Sequence, residues 1–128
     1  MEIIDTVYLV AYLNPADRLH NEAARIIESI GETGRVSQAA LLELDLLMKS
    51  RGFTLSERRD AWTLLSALVG NYVEPVLPSD FSLAAILAET HGLDYFDSLV
   101  AAQCINRGAE PLTTDEQITR VVREHRGD

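Results

Sequence analysis

The chain is poor in the residues that cross-link a small protein or hold it to a polyanion. Its only cysteine is Cys104. That excludes a disulfide framework and a cysteine-rich zinc site, and it fits a reducing, cytoplasmic setting. Its only lysine is Lys49, and 11 basic residues face 20 acidic ones for a formal net charge of −9. A surface so acidic does not hold nucleic acid by broad electrostatics; it suits cations or a basic partner. No apolar run is long enough to span a membrane. The N-terminal residues lack the basic region, apolar stretch and small-residue cleavage site of a signal peptide. There is no GxxxxGK[ST], no GxGxxG after the first extended run and no GxSxG, so a P-loop, a dinucleotide fold and a hydrolase elbow lose their signatures. His20, His91 and His125 show no paired spacing, which argues against a zinc site.

What remains is ample for one domain over residues 1–128, with 47% hydrophobic residues to fill a core. The pattern alternates. "MEIIDT" is a short β-rich run. "NPADRLHNEAARIIESIG" reads as a helix with Asn14 as N-cap, Pro15 at its first position and Gly31 at its end. "GRVS" is a second strand. "SQAALLELDLLMKSRG" is a helix capped by Ser37 and stopped near Gly52, and "TLSERRDAWTLLSALVGN" opens with Thr54 and Glu57 in capping-box spacing. "YVEPVLP" is a third extended segment. Two helices follow, ending at Gly92 and before Gly108. "AEPLTTD" is a fourth strand with its exit turn, and "EQITRVVREH" a last helix with Thr114 and Gln117 in capping-box spacing. Short apolar strands separated by helices imply an α/β fold: a mainly parallel sheet covered by helices on both faces.

In such sheets ligands bind beyond the carboxyl ends of the strands. Acids cluster at those exits: Asp5 after the first strand, Glu43 in the helix after the second, Asp94 and Asp97 opening the helix that leads to the fourth, and Asp115 after it. Each has a plain structural explanation. Asp5 and Asp94 suit helix caps, and Asp97 and Asp115 suit the first turn of a helix, where the dipole favours negative charge. Glu43 is harder to explain. It stands among Leu41, Leu42, Leu44, Leu46 and Leu47, which suggests a helix buried on several sides, where an unpaired carboxylate is costly. Asp45 falls on another face and reads as the solvated acid. Carboxylates converging from four segments need a counter-charge. A hard divalent cation with oxygen ligands provides one, together with bound water for phosphoryl chemistry.

"IIDTVYLVAYL", "VSQAALLEL", "GLDYFDSLVAAQCINRG" and "PLTTDEQI" resemble, in order and spacing, the four acidic motifs of PIN domains. At this length the chain is most similar to VapC-type toxins of toxin–antitoxin pairs. The resemblance implies a three-layer α/β/α sandwich with four or five strands, and an endoribonuclease dependent on Mg²⁺ or Mn²⁺. It also implies a homodimer held in check by a small antitoxin. By this likeness Asp5, Glu43, Asp97 and Asp115 are the catalytic acids. Asp5, Asp97 and Asp115 are the metal ligands, and Thr6 and Thr114 support them. Asp94 has no family counterpart and reads as a cap. Val7 stands where the family usually has a small or polar residue. A haloacid-dehalogenase-like phosphatase would need an Asp at position 7, and a response-regulator receiver an acidic pair beside the first strand. The remaining alternative is a non-catalytic PIN-like module that binds a basic partner protein.

Overall fold

The computed structural model describes residues 1–127. In order, the elements are β1 (Glu2–Ile4), α1 (Thr6–Leu13), α2 (His20–Glu28), α3 (Ile30–Thr33), β2 (Gly34–Ser37), α4 (Gln38–Ser50), α5 (Leu55–Val69), β3 (Val73–Glu74), α6 (Pro78–His91), α7 (Tyr95–Arg107), β4 (Glu110–Leu112) and α8 (Glu116–Arg126). The strands form one parallel sheet in the order β3-β2-β1-β4. Four strands are therefore present among the described residues, the smaller of the two numbers expected.

Strand alternation builds the layers. Ile3 and Ile4 are neighbours in β1, yet Ile3 packs with Leu87, Leu99, Val100, Ile118 and Val122 from α6, α7 and α8. Ile4 packs on the other face with Leu9, Ile27, Leu44 and Leu65 from α1, α2, α4 and α5. Successive side chains of a strand point to opposite faces, so a short run can feed both cores. This is the α/β/α sandwich.

Several sequence signals act as expected. Ser37 caps α4, its hydroxyl accepting the Ala39 N–H at 3.1 Å. Thr54 and Glu57 form a complete capping box on α5. Gly92 and Gly108 end α6 and α7 in the left-handed region, at φ of 70° and 63°, where other residues are strained.

The first helix differs. Asn14 and Pro15 do not open it: α1 begins at Thr6 under an Asp5 cap, Asn14 is its C-cap, and the next helix starts only at His20. "TVYLVAYL" is rich in β-branched and aromatic residues and lacks a polar stripe, because α1 is largely enclosed between the sheet, α2 and α4. Gly31 lies inside the one-turn α3 rather than at a helix end. At the last helix the cap is Asp115, whose Oδ1 accepts the Gln117 and Ile118 N–H groups at 2.8 and 3.4 Å, not Thr114.

Two buried polar groups tie the layers together. The amide of Gln103, on α7, accepts from the Ser37 hydroxyl at 2.6 Å and donates to the Glu74 and Pro75 carbonyls at 3.1 Å each. Asp80, fully buried on α6, takes both terminal nitrogens of Arg107 at 2.7 Å. It also accepts from Asn106 at 2.9 Å and from the Leu77 N–H at 2.8 Å.

Candidate functional site

The strands run parallel, so their carboxyl ends open on one edge of the sheet. Asp5 directly follows β1 there, nearly buried. Its Oδ1 accepts the Thr6 N–H at 2.7 Å and caps α1, while its Oδ2 accepts the Thr113 hydroxyl at 2.8 Å. The capping role and a place in the site thus coexist, and the carboxylate is fixed from two sides. Glu43 reaches the same edge from the second turn of α4 and accepts the Thr6 hydroxyl at 2.5 Å. Thr6 therefore holds two acids at once, one through its backbone and one through its side chain.

Asp97 is the third residue of α7. Asp94 caps that helix, its Oδ1 accepting the Asp97 N–H at 2.8 Å. Behind Asp97 the helix is buried from Ser98 through Cys104, so its axis has no room to shift. Among the described residues no hydrogen bond or ion pair reaches the Asp97 carboxylate; the bond to Asp94 uses the backbone N–H.

One oxygen each from Asp5, Glu43 and Asp97 lies within 4.8 Å of the others. Asp115 stands outside that tight group, occupied with its cap, yet its negative charge raises the pKa of both Asp5 and Asp97. The threonine beside Asp5 is Thr113 rather than Thr114. Its hydroxyl also accepts the Asp115 N–H at 3.0 Å, whereas Thr114 is exposed. "TTD" offers two adjacent hydroxyls, and only the turn between β4 and α8 decides which one faces inward.

The electrostatics are those of an uncompensated cluster. Burial raises the pKa of Asp5; the hydrogen bonds from Thr113 and Thr6 oppose that shift, and the charges of Asp115 and Asp94 add to it. Burial also raises Glu43, against the Thr6 hydrogen bond and with the charges of Asp5 and Asp94. Asp97 has no hydrogen bond to offset burial, and Asp94, Asp5, Asp115 and Glu43 all push the same way, so its pKa rises to about 7. Acids arranged against their own charge in this way are a mark of functional sites.

Two expectations about the surroundings change. Glu43 is not enclosed by its leucines: it is half-buried, and Leu42 and Leu46 on the same helix are each about half exposed. Asp45 is not simply solvated but accepts from Arg58 at 3.1 Å and the Trp62 indole at 3.0 Å. The histidines are also less scattered than their numbering suggests, since His91 and His125 meet edge to face with ring centroids 5.7 Å apart.

The donor set at the strand edge consists of carboxylate oxygens. None of the ion pairs among the described residues involves Asp5, Glu43, Asp97 or Asp115. Oxygen-only donors that converge without a cation of their own fit a hard divalent ion and do not fit a metal that selects nitrogen or sulfur.

Comparison with solved structures finds the same architecture elsewhere. The chain is similar to Mycobacterium tuberculosis VapC20, described as a sarcin–ricin-loop-cleaving toxin, at 23% identity over 94% of each chain and a TM-score of 0.72. It is similar to FitAcB from Neisseria gonorrhoeae at 18% identity, covering 95% of this chain and 93% of that one, with a TM-score of 0.71. It is also similar to VapBC2 from Rickettsia felis, solved bound to a DNA fragment from the promoter, at 16% identity, 94% and 92% coverage and a TM-score of 0.67. At these identities the likeness is one of fold. No curated protein matches the sequence. The PIN domain family model matches residues 3–124, nearly the whole chain, and this protein therefore belongs to the PIN domain family.

Proposed function

We propose that the chain is a Mg²⁺- or Mn²⁺-dependent endoribonuclease that hydrolyses RNA phosphodiester bonds, acting in the cytoplasm as the toxin of a type II toxin–antitoxin pair. The observation that carries this reading is the convergence of the Asp5, Glu43 and Asp97 oxygens within 4.8 Å, with no ion pair among the described residues reaching any of them. Its fold neighbours support the toxin assignment: one is described as a cleaving toxin, and another was solved as VapBC2 with promoter DNA.

Asp5 and Asp97 are the proposed principal ligands, with Glu43 closing the triad and Asp115 contributing from the head of α8. A divalent ion held there would supply a bound water that is a better nucleophile than bulk water and would stabilise charge on the attacked phosphate. The protein's own contribution is placement. Thr6 and Thr113 lock Asp5, Thr6 orients Glu43, and the buried body of α7 fixes Asp97. Millimolar Mn²⁺ is expected to raise the melting temperature and to switch on cleavage of single-stranded RNA. An ion at one hundred times its dissociation constant adds about 2.7 kcal/mol. A melting curve indifferent to metal, together with no cleavage, would overturn the reading in favour of a non-catalytic module for a basic partner.

The same carboxylates suit an arginine from an antitoxin tail, because a bidentate guanidinium neutralises an acid that metal otherwise holds. The proposed homodimer face is the α4–α5 hairpin. Leu42, Leu46, Leu55 and Leu64 are exposed there and Trp62 is partly buried beside them, more apolar surface than a monomer of this size needs to show. Light scattering at high micromolar concentration should give twice the chain mass of 14.2 kDa. A mass of one chain removes the dimer.

A further inference from the structure

A chain with a net charge of −9 is a poor match for RNA, so the local distribution of its arginines matters. Most are committed or lie elsewhere. Arg58 pairs with Asp45, Arg107 with Glu74 and Asp80, and Arg126 with Glu110, while Arg35 lies over the Tyr72 ring. Arg120 and Arg123 differ. They are three residues apart on an exposed face of α8, so they are surface neighbours. Arg120 has only a loose contact with Glu124 at 4.0 Å, and Arg123 has no ion pair among the described residues. Both line an open cleft of about 610 Å³ together with Thr113, Thr114, Thr119, Glu116 and Glu124. Thr119 donates to the Asp115 carbonyl at 3.4 Å, and the exposed Thr114 hydroxyl is the one left to face a ligand. Thr113 joins the cleft to the carboxylate site, because its hydroxyl donates to Asp5 at 2.8 Å.

We infer that this cleft, through Arg120, Arg123 and the Thr114 hydroxyl, is a phosphate-backbone subsite that carries single-stranded RNA to the carboxylates. The inference rests on the ribonuclease reading and adds where the strand lies. The chemistry suits a backbone rather than bases: guanidinium forks and hydroxyls bind phosphate oxygens, and the cleft offers no aromatic ring for stacking. The two glutamates leave it close to neutral. That is enough to relieve the general repulsion at this one approach, and it keeps the grip weak enough for release. Phosphate contacts of this kind position a strand without reading its sequence.

The test uses the full chain with Mn²⁺ and a fluorescent single-stranded RNA, comparing wild type, the Arg120→Gln/Arg123→Gln double variant and Arg18→Gln. Arg18 is exposed beyond the far end of α1 from the carboxylates and loses the same kind of charge. For the double variant KM should rise on the order of tenfold with kcat held, the pattern of an interaction kept equally in ground and transition states. The slope of log KM against log salt should fall by about 1.4, or about 0.7 for each phosphate of a single strand that is no longer neutralised. Arg18→Gln should match wild type, and all three should melt together. A double variant with unchanged KM and salt slope, in a wild type that does cleave, overturns the cleft and leaves the ribonuclease reading standing. The same follows if the substitutions release a co-purifying protein partner while the RNA parameters hold. A wild type that neither binds nor cleaves RNA overturns both.

Discussion

Asp97→Asn should abolish metal-dependent cleavage while leaving the metal-free protein at least as stable as wild type. The substitution keeps shape. It breaks no hydrogen bond, since the Asp97 carboxylate accepts none among the described residues and the backbone bond to Asp94 remains. Relief from the four surrounding acids is worth on the order of 1 kcal/mol after screening. With Mn²⁺ the order reverses: the thermal shift shrinks, and activity falls by more than the roughly 100-fold that losing a merely supporting group costs. The pH response gives a second readout. The Asp97 pKa is raised to about 7 from an unfolded value near 4, so between those values the folded protein holds a proton that the unfolded chain releases. Metal-free stability contributed by this group therefore falls as pH rises through about 4 to 7, and is flat above. Burial and shared charge shift Asp5 and Glu43 in the same direction. The wild-type melting temperature should decline across that window, and Asp97→Asn should flatten the decline. Asp94→Asn is the control for activity, because Asn caps a helix as well as Asp does. It also removes a charge that raises Asp97, so it should flatten the pH response in part while leaving cleavage intact. Wild-type activity in purified Asp97→Asn would remove Asp97 from the site.

The largest loss of stability is expected far from the carboxylates. Asp80→Ala should cost about 3 kcal/mol, on the order of 10 °C in melting temperature, by strand-independent probes such as helical circular dichroism. Asp80 is fully buried, and burial alone would raise its pKa. Hydrogen bonds from Arg107, the Leu77 N–H and Asn106 outweigh burial and hold it below the ordinary value. Removing it strands a guanidinium that is itself mostly buried, with Glu74 as its remaining acid. Asp45→Ala offers the contrast. That acid also pairs with an arginine, but both side chains are substantially exposed, and the change should stay within about 1 kcal/mol. Equal losses at the two positions would show that burial is not what sets the strength of the Asp80 pair.

The sequence made the sheet and its strand exits legible, and with them the edge where Asp5, Glu43 and Asp97 meet, because short apolar runs and capping residues are local signals. It misplaced what depends on neighbours in space. Asn14-Pro15 is a strong local start signal, yet enclosure by the sheet, α2 and α4 made the unpatterned TVYLVAYL helical instead. The leucines around Glu43 suggested burial, whereas Leu42 and Leu46 face outward. That distinction needs the position of the next helix, not composition. Thr113 and Thr114 are chemically identical and adjacent, so a turn geometry that no spacing encodes decides which one holds Asp5. Arg107 lies at the opposite end of α7 from Asp97 and serves Asp80 on α6.

The Gln103 amide has a consequence for that same helix. A helix is a screw, and each residue of slip along its axis turns every side chain by about 100° and advances it by about 1.5 Å. Asp97 lies six positions, or about 9 Å, from Gln103. The surrounding apolar side chains fix where α7 lies, but a greasy wall tolerates rotation far better than a hydrogen-bonded amide does. Gln103 is keyed to Ser37 at the end of β2 and to the Glu74 and Pro75 carbonyls beside β3. It thereby acts as an angular index for the whole cylinder, read out at the far end as the direction in which one carboxylate points.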